Sequence, residues 1–226
     1  MKNIIQQSFS LSKELAELDT TCVSDAMDRL GILGGLENVK PVNIGNLICG
    51  PAFTVHYVPC GMVKGTVGDF LDDVAPGQVV VIDNAGRTYC TVWGDIMTYY
   101  AQKKNITGTV IDGVCRDIPT LRKLNYPIFT KGYYMVTGKD RVEVDAINVP
   151  VAVSGIHVKP GDIILGDDTG VVAVPLERAA DVLEIAREIA EKEEQIMAEI
   201  KRGKPLAQAR ASAGYHSLQT SPKYLV

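Results

Sequence analysis

Three charged residues with a defined spacing lie in the middle of the chain. Asp95 begins one segment of apolar periodicity, and after twenty intervening residues Arg116 and Asp117 stand side by side before another. Helix capping is one explanation, because an aspartate at a helix start accepts hydrogen bonds from unpaired backbone amides. The other is a metal-assisted reaction on a small anion, because carboxylates bind divalent cations and arginine binds carboxylates.

Arg116 is the member of this set that capping does not explain. A cation just before a helix start opposes the helix macrodipole, so we expect an anionic partner for it. A bound carboxylate would serve, and so would Asp95 or Asp112. Residues 107–111 are typical of a strand, and Asp112 begins the loop at its C-terminal end. Ligands of α/β proteins bind at such strand ends.

A fourth charged residue interrupts the apolar face of the predicted C-terminal helix over residues 175–202. The apolar positions at helical spacing are Val182, Ala186, Ile189, Ile196, Met197 and Ile200. At about 100° per residue Glu193 falls within this face, whereas Glu191 and Glu194 do not. A carboxylate there is costly unless it is paired or lies near a metal. A salt bridge to a neighbouring helix would pair the Glu193 carboxylate. The alternative is that Glu193 contributes to a functional site on another subunit.

The elements that position these residues alternate between strands and helices. The pattern predicts two short helices within residues 10–30, strands at 46–58, 77–83 and 106–111, and helices at 94–104 and 117–124. Several strands follow one another directly, which favours a mixed α/β domain with a β-rich core and outer helices over a simple doubly wound sheet. We expect one domain over residues 1–202, followed by a polar C-terminal arm at 203–226.

Composition excludes several classes of function. With 23 Lys and Arg against 27 Asp and Glu, the 226-residue chain has a net charge of −4, which argues against nucleic acid as a partner. No apolar run approaches the roughly 20 residues of a membrane span. Five cysteines without a C-x-x-C pair indicate neither a disulfide framework nor a zinc site. Dinucleotide and P-loop motifs are absent. We expect a reduced, soluble, cytoplasmic protein that binds neither nucleic acid nor membranes.

Several longer sequence motifs occur in a characteristic order. They are TTCVSDAMDRLG, GPAFTV, PGQVVVIDNAG, WGDIM, VIDGVCRD and VKPGDIILGDDTGVVAVP. With them the chain resembles the 4-hydroxy-4-methyl-2-oxoglutarate aldolases and their relatives, which include the regulator of ribonuclease activity A. The resemblance extends from about Leu18 to Arg202. Its most specific mark is the spacing D-x20-R-D, which Asp95, Arg116 and Asp117 match.

The resemblance implies a fold, an assembly and a cofactor. The fold would be a β/β/α swivelling-type domain that assembles as homotrimers or as homohexamers, which are pairs of trimers. The site would lie between subunits and would use a divalent metal, Mg²⁺ or Mn²⁺. Its ligand would be a small 2-oxo acid.

The resemblance also implies roles for individual residues. Asp117 would hold the metal, Arg116 would bind the keto oxygen of a pyruvyl group, and Asp95 would order a water at the metal. The substrate carboxylate would be bound by the backbone amides of Gly94, Asp95, Ile96 and Met97. A glutamate from a neighbouring C-terminal helix would complete the metal site, and Glu193 is our choice because its helical phase singles it out.

Two functions follow from the resemblance. One is a metal-dependent class II pyruvate aldolase that cleaves 4-hydroxy-4-methyl-2-oxoglutarate or 4-carboxy-4-hydroxy-2-oxoadipate and also decarboxylates oxaloacetate through the same enolate chemistry. The alternative is a non-catalytic regulator that binds a ribonuclease. The complete set of Asp95, Arg116, Asp117 and Glu193 favours the enzyme, because a binding module does not need a carboxylate on an apolar helix face.

Overall fold

Parallel strands joined by helices form the centre of the protein. A computed structural model describes residues 2–215, with side chains from residue 5 onward. The strands are β1 Lys40–Pro41, β2 Ile48–Pro59, β3 Val79–Thr91, β4 Gly108–Cys115, β5 Ile128–Tyr133, β6 Val142–Ile147, β7 Val151–Val153, β8 Ile156–Val158, β9 Ile163–Gly166 and β10 Val171–Val174. The α-helices are α1 Lys2–Leu15, α2 Thr20–Arg29, α3 Asp95–Lys103, α4 Ile118–Leu124, α5 Ala179–Lys201 and α6 Leu206–Ser212.

The main sheet has a parallel centre and antiparallel edges. Its order is β1-β5-β4-β3-β2-β9-β10, and β6 also pairs with β2. Strands β2 to β5 run parallel to one another, whereas β1, β6, β9 and β10 pair antiparallel with their neighbours. Strands β7 and β8 form a separate hairpin. The crossovers β3–α3–β4 and β4–α4–β5 place the starts of α3 and α4 at the same edge of the sheet.

Burial explains why this sheet forms the core. Residues Val79 to Ile82 of β3 are all fully buried, as a parallel strand covered on both faces must be. One apolar cluster joins β2, β3 and β4 to residues of α3 and α4, and another joins α1, α2 and α5 to β9 and β10. The expected mixed α/β fold with a β-rich core, outer helices and a long C-terminal helix is confirmed.

The C-terminal helix is slightly shorter than predicted. Residues 176–178 form a 3₁₀ turn, and α5 then runs to Lys201. Most of the predicted apolar face is buried, but Met197 and Ile200 are 55% and 40% exposed in the single chain. Helix α6 lies within the predicted arm, and residues 216–226 of that arm lie outside the described residues. No helix within residues 2–215 has the length and apolar character to cross a membrane.

Candidate active site

A cleft of about 450 Å³ opens at the carboxyl ends of β3 and β4. Its lining includes residues 91–97, which join β3 to the first turn of α3, and residues 65–69 of the loop that follows β2. Arg116 lines the cleft from the end of β4, and Lys139 lines it from a later turn. The structure therefore brings the predicted segment Gly94, Asp95, Ile96 and Met97 together with Arg116 in one cleft.

The start of α3 is fixed by a buried tryptophan. The Trp93 side chain is 2% exposed, and its indole Nε1 donates a hydrogen bond to Thr98 Oγ1 at 2.8 Å. That hydroxyl in turn donates to the carbonyl of Gly94 at 2.8 Å. Gly94 is the N-cap of α3 and has no side chain, so the first amides of this helix have no local cap.

Asp117 supplies that missing cap from the neighbouring crossover. Its Oδ2 accepts a hydrogen bond from Asp95 N at 3.2 Å. A Cβ atom placed on Gly94 would lie 2.6 Å from the same oxygen, so only glycine allows this approach. The two parts of the D-x20-R-D pattern therefore meet because β4 and its loop return the chain to the start of α3.

Asp117 has an unusual backbone conformation. Its φ and ψ are 61° and 33°, in the left-handed region where aspartate and asparagine are better tolerated than most residues. It occupies the N-cap position of α4, but its side chain makes no capping hydrogen bond to α4. Capping of its own helix, one of the two explanations that the sequence allowed, is thus not what its carboxylate does.

The anionic partner of Arg116 is the adjacent Asp117. Arg116 Nε lies 3.3 Å from Asp117 Oδ2, and both side chains are partly exposed. The terminal guanidinium nitrogens have no partner among residues 2–215. Asp112 is engaged elsewhere, because its carboxylate lies 2.6 Å from Lys131 Nζ and accepts a hydrogen bond from Ser154 N. Arg116 can therefore still bind an anion in the cleft.

The first amides of α3 already bind carboxylates. Asp95 N donates to Asp117, and Ile96 N donates to Asp95 Oδ1 at 2.8 Å. This is the anion preference of a helix N-terminus, expressed here by the protein's own side chains. Met97 N has no partner among the described residues. A ligand carboxylate that took the amide of Ile96 would require the Asp95 side chain to turn away.

Glu193 lies apart from the other predicted site residues within one chain. It is partly buried on α5, where its Oε2 accepts a hydrogen bond from Cys22 Sγ of α2 at 3.6 Å. Burial and the Asp19 and Glu193 carboxylates raise the pKa of the Cys22 thiol, so the thiol keeps its proton and can donate. No ion pair joins Glu193 to another residue in the part of the chain that the structure describes.

Asp117 does not itself line the cleft but contacts Asp95 and Arg116, which do, and it is the carboxylate there best suited to a metal ion. Its Oδ1 has no partner within residues 2–215, and its side chain is 33% exposed. No group of three or more His, Cys, Asp or Glu in those residues is arranged to hold a metal. A hard cation such as Mg²⁺ keeps several waters and needs only one or two protein carboxylates, so a single Asp117 ligand fits it.

Lys139 is a cleft residue that the sequence reasoning missed. It belongs to the turn between β5 and β6 and lies outside every phrase of the resemblance. Thr137 of the same turn forms a bridge with Thr91 at the end of β3. The contact between such distant segments depends on the fold, so neither spacing nor residue type could have indicated it.

The fold and the cleft define a mixed α/β protein with a cleft at the carboxyl edge of its sheet, lined by Arg116, Lys139 and the start of α3. The profile of the RraA-like family, described as Aldolase/RraA, matches residues 20–173, which is more than half of the chain. The protein therefore belongs to the RraA-like family, as the resemblance of its motifs indicated.

Two curated relatives show how far the similarity extends. Protein DlpA of Legionella pneumophila is 40% identical over 219 residues, which are 95% of this chain. The chain spans only 34% of the length of DlpA. A protein of Halalkalibacterium halodurans, whose name proposes it as a 4-hydroxy-4-methyl-2-oxoglutarate aldolase, is 33% identical over 182 residues. That alignment covers 80% of this chain and 84% of the relative.

Two solved structures have the same fold. An uncharacterized protein from Pseudomonas syringae pv. tomato is 43% identical with a TM-score of 0.82, and the match covers 89% of this chain and 96% of that protein. A Streptomyces coelicolor protein, described as an unusual member of the RNase ES inhibitor RraA protein family, is 29% identical with a TM-score of 0.76. That match covers 82% of this chain and 94% of the neighbour.

Proposed function

We propose that the protein is a divalent-metal-dependent class II aldolase that cleaves a 4-hydroxy-2-oxo acid and releases pyruvate. The observation that carries this proposal is the meeting of the Asp117 carboxylate, the Arg116 guanidinium and the start of α3 at one cleft. The name of the Halalkalibacterium halodurans relative supports the same reaction class. The substrates that we propose are 4-hydroxy-4-methyl-2-oxoglutarate and 4-carboxy-4-hydroxy-2-oxoadipate.

Asp117 is the residue that we assign to Mg²⁺ or Mn²⁺. Its unpartnered Oδ1 and its partial exposure leave it able to bind a cation beside Arg116. When bound, such a metal supplies Lewis acidity, which lowers the pKa of a coordinated water and stabilises negative charge on a keto oxygen. Left-handed backbone at a functional residue is a known way to aim a side chain.

The start of α3 would bind the carboxylate of the pyruvyl group. Met97 N has no partner among the described residues, and Ile96 N becomes available when the Asp95 carboxylate turns away. The positive end of the helix dipole adds to the attraction. Trp93 and Thr98 hold this first turn in place, so the amides are oriented before the substrate binds.

The cleavage step breaks the C3–C4 bond of the substrate. The C4 hydroxyl would lose its proton to a hydroxide that Asp95 positions, formed from a water whose pKa a bound metal would lower, and C4 becomes the carbonyl carbon of the released product. The electron pair of the broken bond forms the pyruvate enolate, whose C3 then takes that proton back, and the terminal nitrogens of Arg116 donate hydrogen bonds to the enolate oxygen. Because this charge develops only during the reaction, the contact favours the transition state over the bound substrate.

The same groups would decarboxylate oxaloacetate. There the bond between C3 and the C4 carboxylate breaks, carbon dioxide leaves, and the electron pair again forms the pyruvate enolate. No hydroxyl has to lose a proton in this reaction. Asp117 as the metal ligand, Arg116 and the start of α3 are therefore sufficient on the protein side, and Asp95 matters less than in the aldol cleavage.

We infer further that Glu193 of a second copy of the chain completes the site in a trimer or hexamer. Among residues 2–215 of one chain its carboxylate has only a thiol partner, and Met197 on the same helix is largely exposed. Assembly with closed symmetry would repeat the shared site at each interface.

Co-expression of Glu193→Ala chains with Asp117→Asn chains should restore activity that neither variant has alone, because some interfaces then carry both intact residues. Mixed oligomers, verified by mass, that recover no activity would contradict a shared site, as would an active monomer in light scattering.

Pyruvate release is the direct test of the proposed function. We expect the purified protein to release pyruvate from 4-hydroxy-4-methyl-2-oxoglutarate and from oxaloacetate when Mg²⁺ or Mn²⁺ is present, and to lose this activity with EDTA. No turnover of these two substrates, or of 4-carboxy-4-hydroxy-2-oxoadipate, with either metal would overturn the proposal. The alternative, a regulator that binds a ribonuclease, predicts inhibition of a ribonuclease that persists in the Asp117→Asn variant.

A further inference from the structure

The turn at residues 136–141 forms a rigid wall of the cleft. The carbonyl of Gly138 accepts hydrogen bonds from Arg141 N at 2.8 Å and from Val142 N at 2.9 Å. The Arg141 guanidinium donates to the carbonyls of Thr137 and Lys139 at 3.2 and 3.5 Å. A Cβ atom on Gly138 would lie 2.3 Å from the Thr91 carbonyl, so this position requires glycine. The backbone of Lys139 is therefore held firmly beside β3.

Residues 91–93, the end of β3 and the two residues after it, separate this turn from Arg116. On one side of them, Val92 N donates to Val114 O, and Arg116 N donates to Trp93 O. On the other side, Thr91 N donates to Val136 O at 2.9 Å. Arg116 and the turn thus approach residues 91–93 from opposite sides, and both line the same cleft.

Lys139 is a cation without a partner in this cleft. Its side chain is exposed, and its ammonium group has no ion pair within residues 2–215. The neighbouring Asp140 pairs with Lys64 Nζ at 2.9 Å, and Lys139 adds only a weaker attraction to that carboxylate without an ion-pair contact. A lone ammonium group on a fixed turn attracts an anion.

The two acidic residues of the cleft lie away from this turn. Asp95 belongs to α3, where its carboxylate accepts a hydrogen bond from Ile96 N. Asp69 follows Gly68, and a Cβ atom on Gly68 would lie 3.1 Å from Met97 Sδ, so this part of the loop also lies against α3. Lys139 is therefore the charged residue that this turn contributes to the cleft lining, and neither acidic lining residue belongs to the turn.

We propose that Lys139 binds a second carboxylate of the substrate and selects dicarboxylic 2-oxo acids over monocarboxylic ones. This inference rests on the proposed function, in which Arg116 and the start of α3 hold the 2-oxo acid end. A substrate that extends from Arg116 past residues 91–93 presents its far end to the 136–141 turn. An ammonium group there favours a carboxylate and gains little from a methyl group.

Binding of two unreactive acids tests this inference without any turnover. 2-Oxoglutarate has a distal carboxylate, and 2-oxopentanoate has a methyl group at the same position. Calorimetric titration with MgCl₂ present should show the wild-type protein binding 2-oxoglutarate about tenfold more tightly, the ratio given by one charge-assisted hydrogen bond. Lys139→Gln should reduce the ratio of the two dissociation constants to about one, and Lys139→Arg should preserve the preference.

Lys123→Gln is the matched control. Lys123 is exposed in the last turn of α4, has no ion pair in the described part of the chain and does not line the cleft. The control makes the same change in net charge, so we expect it to leave the ratio unchanged. If the ratio of the two dissociation constants fell equally in Lys139→Gln and Lys123→Gln, the cause would be a general charge effect, and the inference would be overturned.

The remaining outcomes separate this inference from the proposed function. A wild-type ratio of one, or a ratio unchanged in Lys139→Gln, would contradict the role of Lys139 whether or not the protein releases pyruvate. Equal loss of affinity for both acids in Lys139→Gln would also contradict it, because a Schiff-base lysine would act on both. A ratio that depends on Lys139 in a protein without pyruvate release would support the dicarboxylate site and would refute the aldolase.

Discussion

The starts of helices α2 and α3 are both held by aspartates, but the two arrangements differ. At α2, Asp19 accepts a hydrogen bond from Cys22 N at 2.7 Å. Asp167 accepts three more, from Thr20 N, Thr20 Oγ1 and Thr169 N, at 2.7 to 2.9 Å. At α3, Asp117 uses one carboxylate oxygen for Asp95 N, and its other oxygen has no partner within the described residues.

The difference separates a structural cap from a candidate binding site. Both oxygens of Asp167 are engaged, so its charge stabilises the fold and is unavailable to a ligand. Burial acts to raise the pKa of Asp167, but the hydrogen bonds from Thr20 and Thr169 outweigh it and hold the pKa below its usual value. Asp117 and Arg116 keep unpaired atoms beside a cleft, so their charges can act on a ligand.

Of the substitutions at the two helix starts, Asp117→Asn should have the largest effect on activity. Loss of the charge removes the proposed metal ligand, and we expect pyruvate release to fall by about a thousandfold, as when a central stabilising group is lost. Stability should change by less than about 1 kcal/mol, because asparagine tolerates left-handed backbone and can still accept from Asp95 N. Pyruvate assays with a Mg²⁺ titration, together with thermal melts, measure both effects. A variant with normal turnover and metal affinity would show that Asp117 is only a cap.

Gly94→Ala should damage the α3 site through one added methyl group. The backbone at Gly94 is extended, with φ −154° and ψ −164°, which alanine adopts without strain. The new Cβ would lie 2.6 Å from Asp117 Oδ2 and would displace that carboxylate. We expect about a hundredfold loss of activity, because displacements of about 1 Å in a site have such effects.

Gly35→Ala is the control for the glycine variant, because a Cβ atom on Gly35 meets nothing within 4 Å. We expect activity close to that of the wild type for Gly35→Ala. Equal activity of the two alanine variants would show that the approach of Asp117 to Gly94 is unimportant.

Arg116→Lys should reduce turnover more than substrate affinity. Lysine keeps the positive charge but lacks the planar group whose terminal nitrogens we assign to the enolate oxygen. We expect kcat to fall by about ten- to a hundredfold with a smaller change in KM, since the contact strengthens as the enolate forms. Steady-state kinetics with oxaloacetate separate the two parameters. A lysine variant with full kcat would remove Arg116 from the proposed role.

Asp167→Asn should have the smallest effect and should leave the chemistry intact. The amide nitrogen of asparagine cannot accept from Thr20 N or Thr169 N, so we expect the free energy of unfolding to fall by about 1–2 kcal/mol. Pyruvate release should stay within about twofold of the wild type because Asp167 does not line the cleft. Urea denaturation and activity assays test the two statements.

The stability difference caused by Asp167→Asn should also depend on pH. The pKa of Asp167 is lowered in the folded protein, so its ionised form is favoured by folding. Its contribution is fully present above the unfolded pKa of about 4 and is lost as the pH falls through the lower folded pKa. The two proteins should therefore become more alike in stability below about pH 4. A difference that grows towards acid would contradict this assignment.

The sequence predicts the elements of this fold better than the contacts of its side chains. Residues 77–83 predict a strand because they are rich in β-branched residues and follow the turn signal Pro76-Gly77, and β3 begins there at Val79 but continues to Thr91. The sequence could not predict that the Asp117 carboxylate caps α3 instead of α4, because this contact depends on how the two crossovers pack. Lys139 was missed because its turn reaches the cleft through a bridge between Thr91 and Thr137. Helical phase placed Glu193 on a partly buried face, but a single chain does not determine its partner in an assembly.

The hydrogen bonds on both sides of residues 91–93 have a consequence for divergence within the family. Arg116 and Asp117 follow β4, whereas Lys139 follows β5 and is held by main-chain bonds that do not depend on its own side chain. Mutation at position 139 can therefore alter which acid is accepted while the groups proposed for bond cleavage stay where they are. Descendants of one ancestor could in this way exchange substrates by single steps without passing through an inactive intermediate.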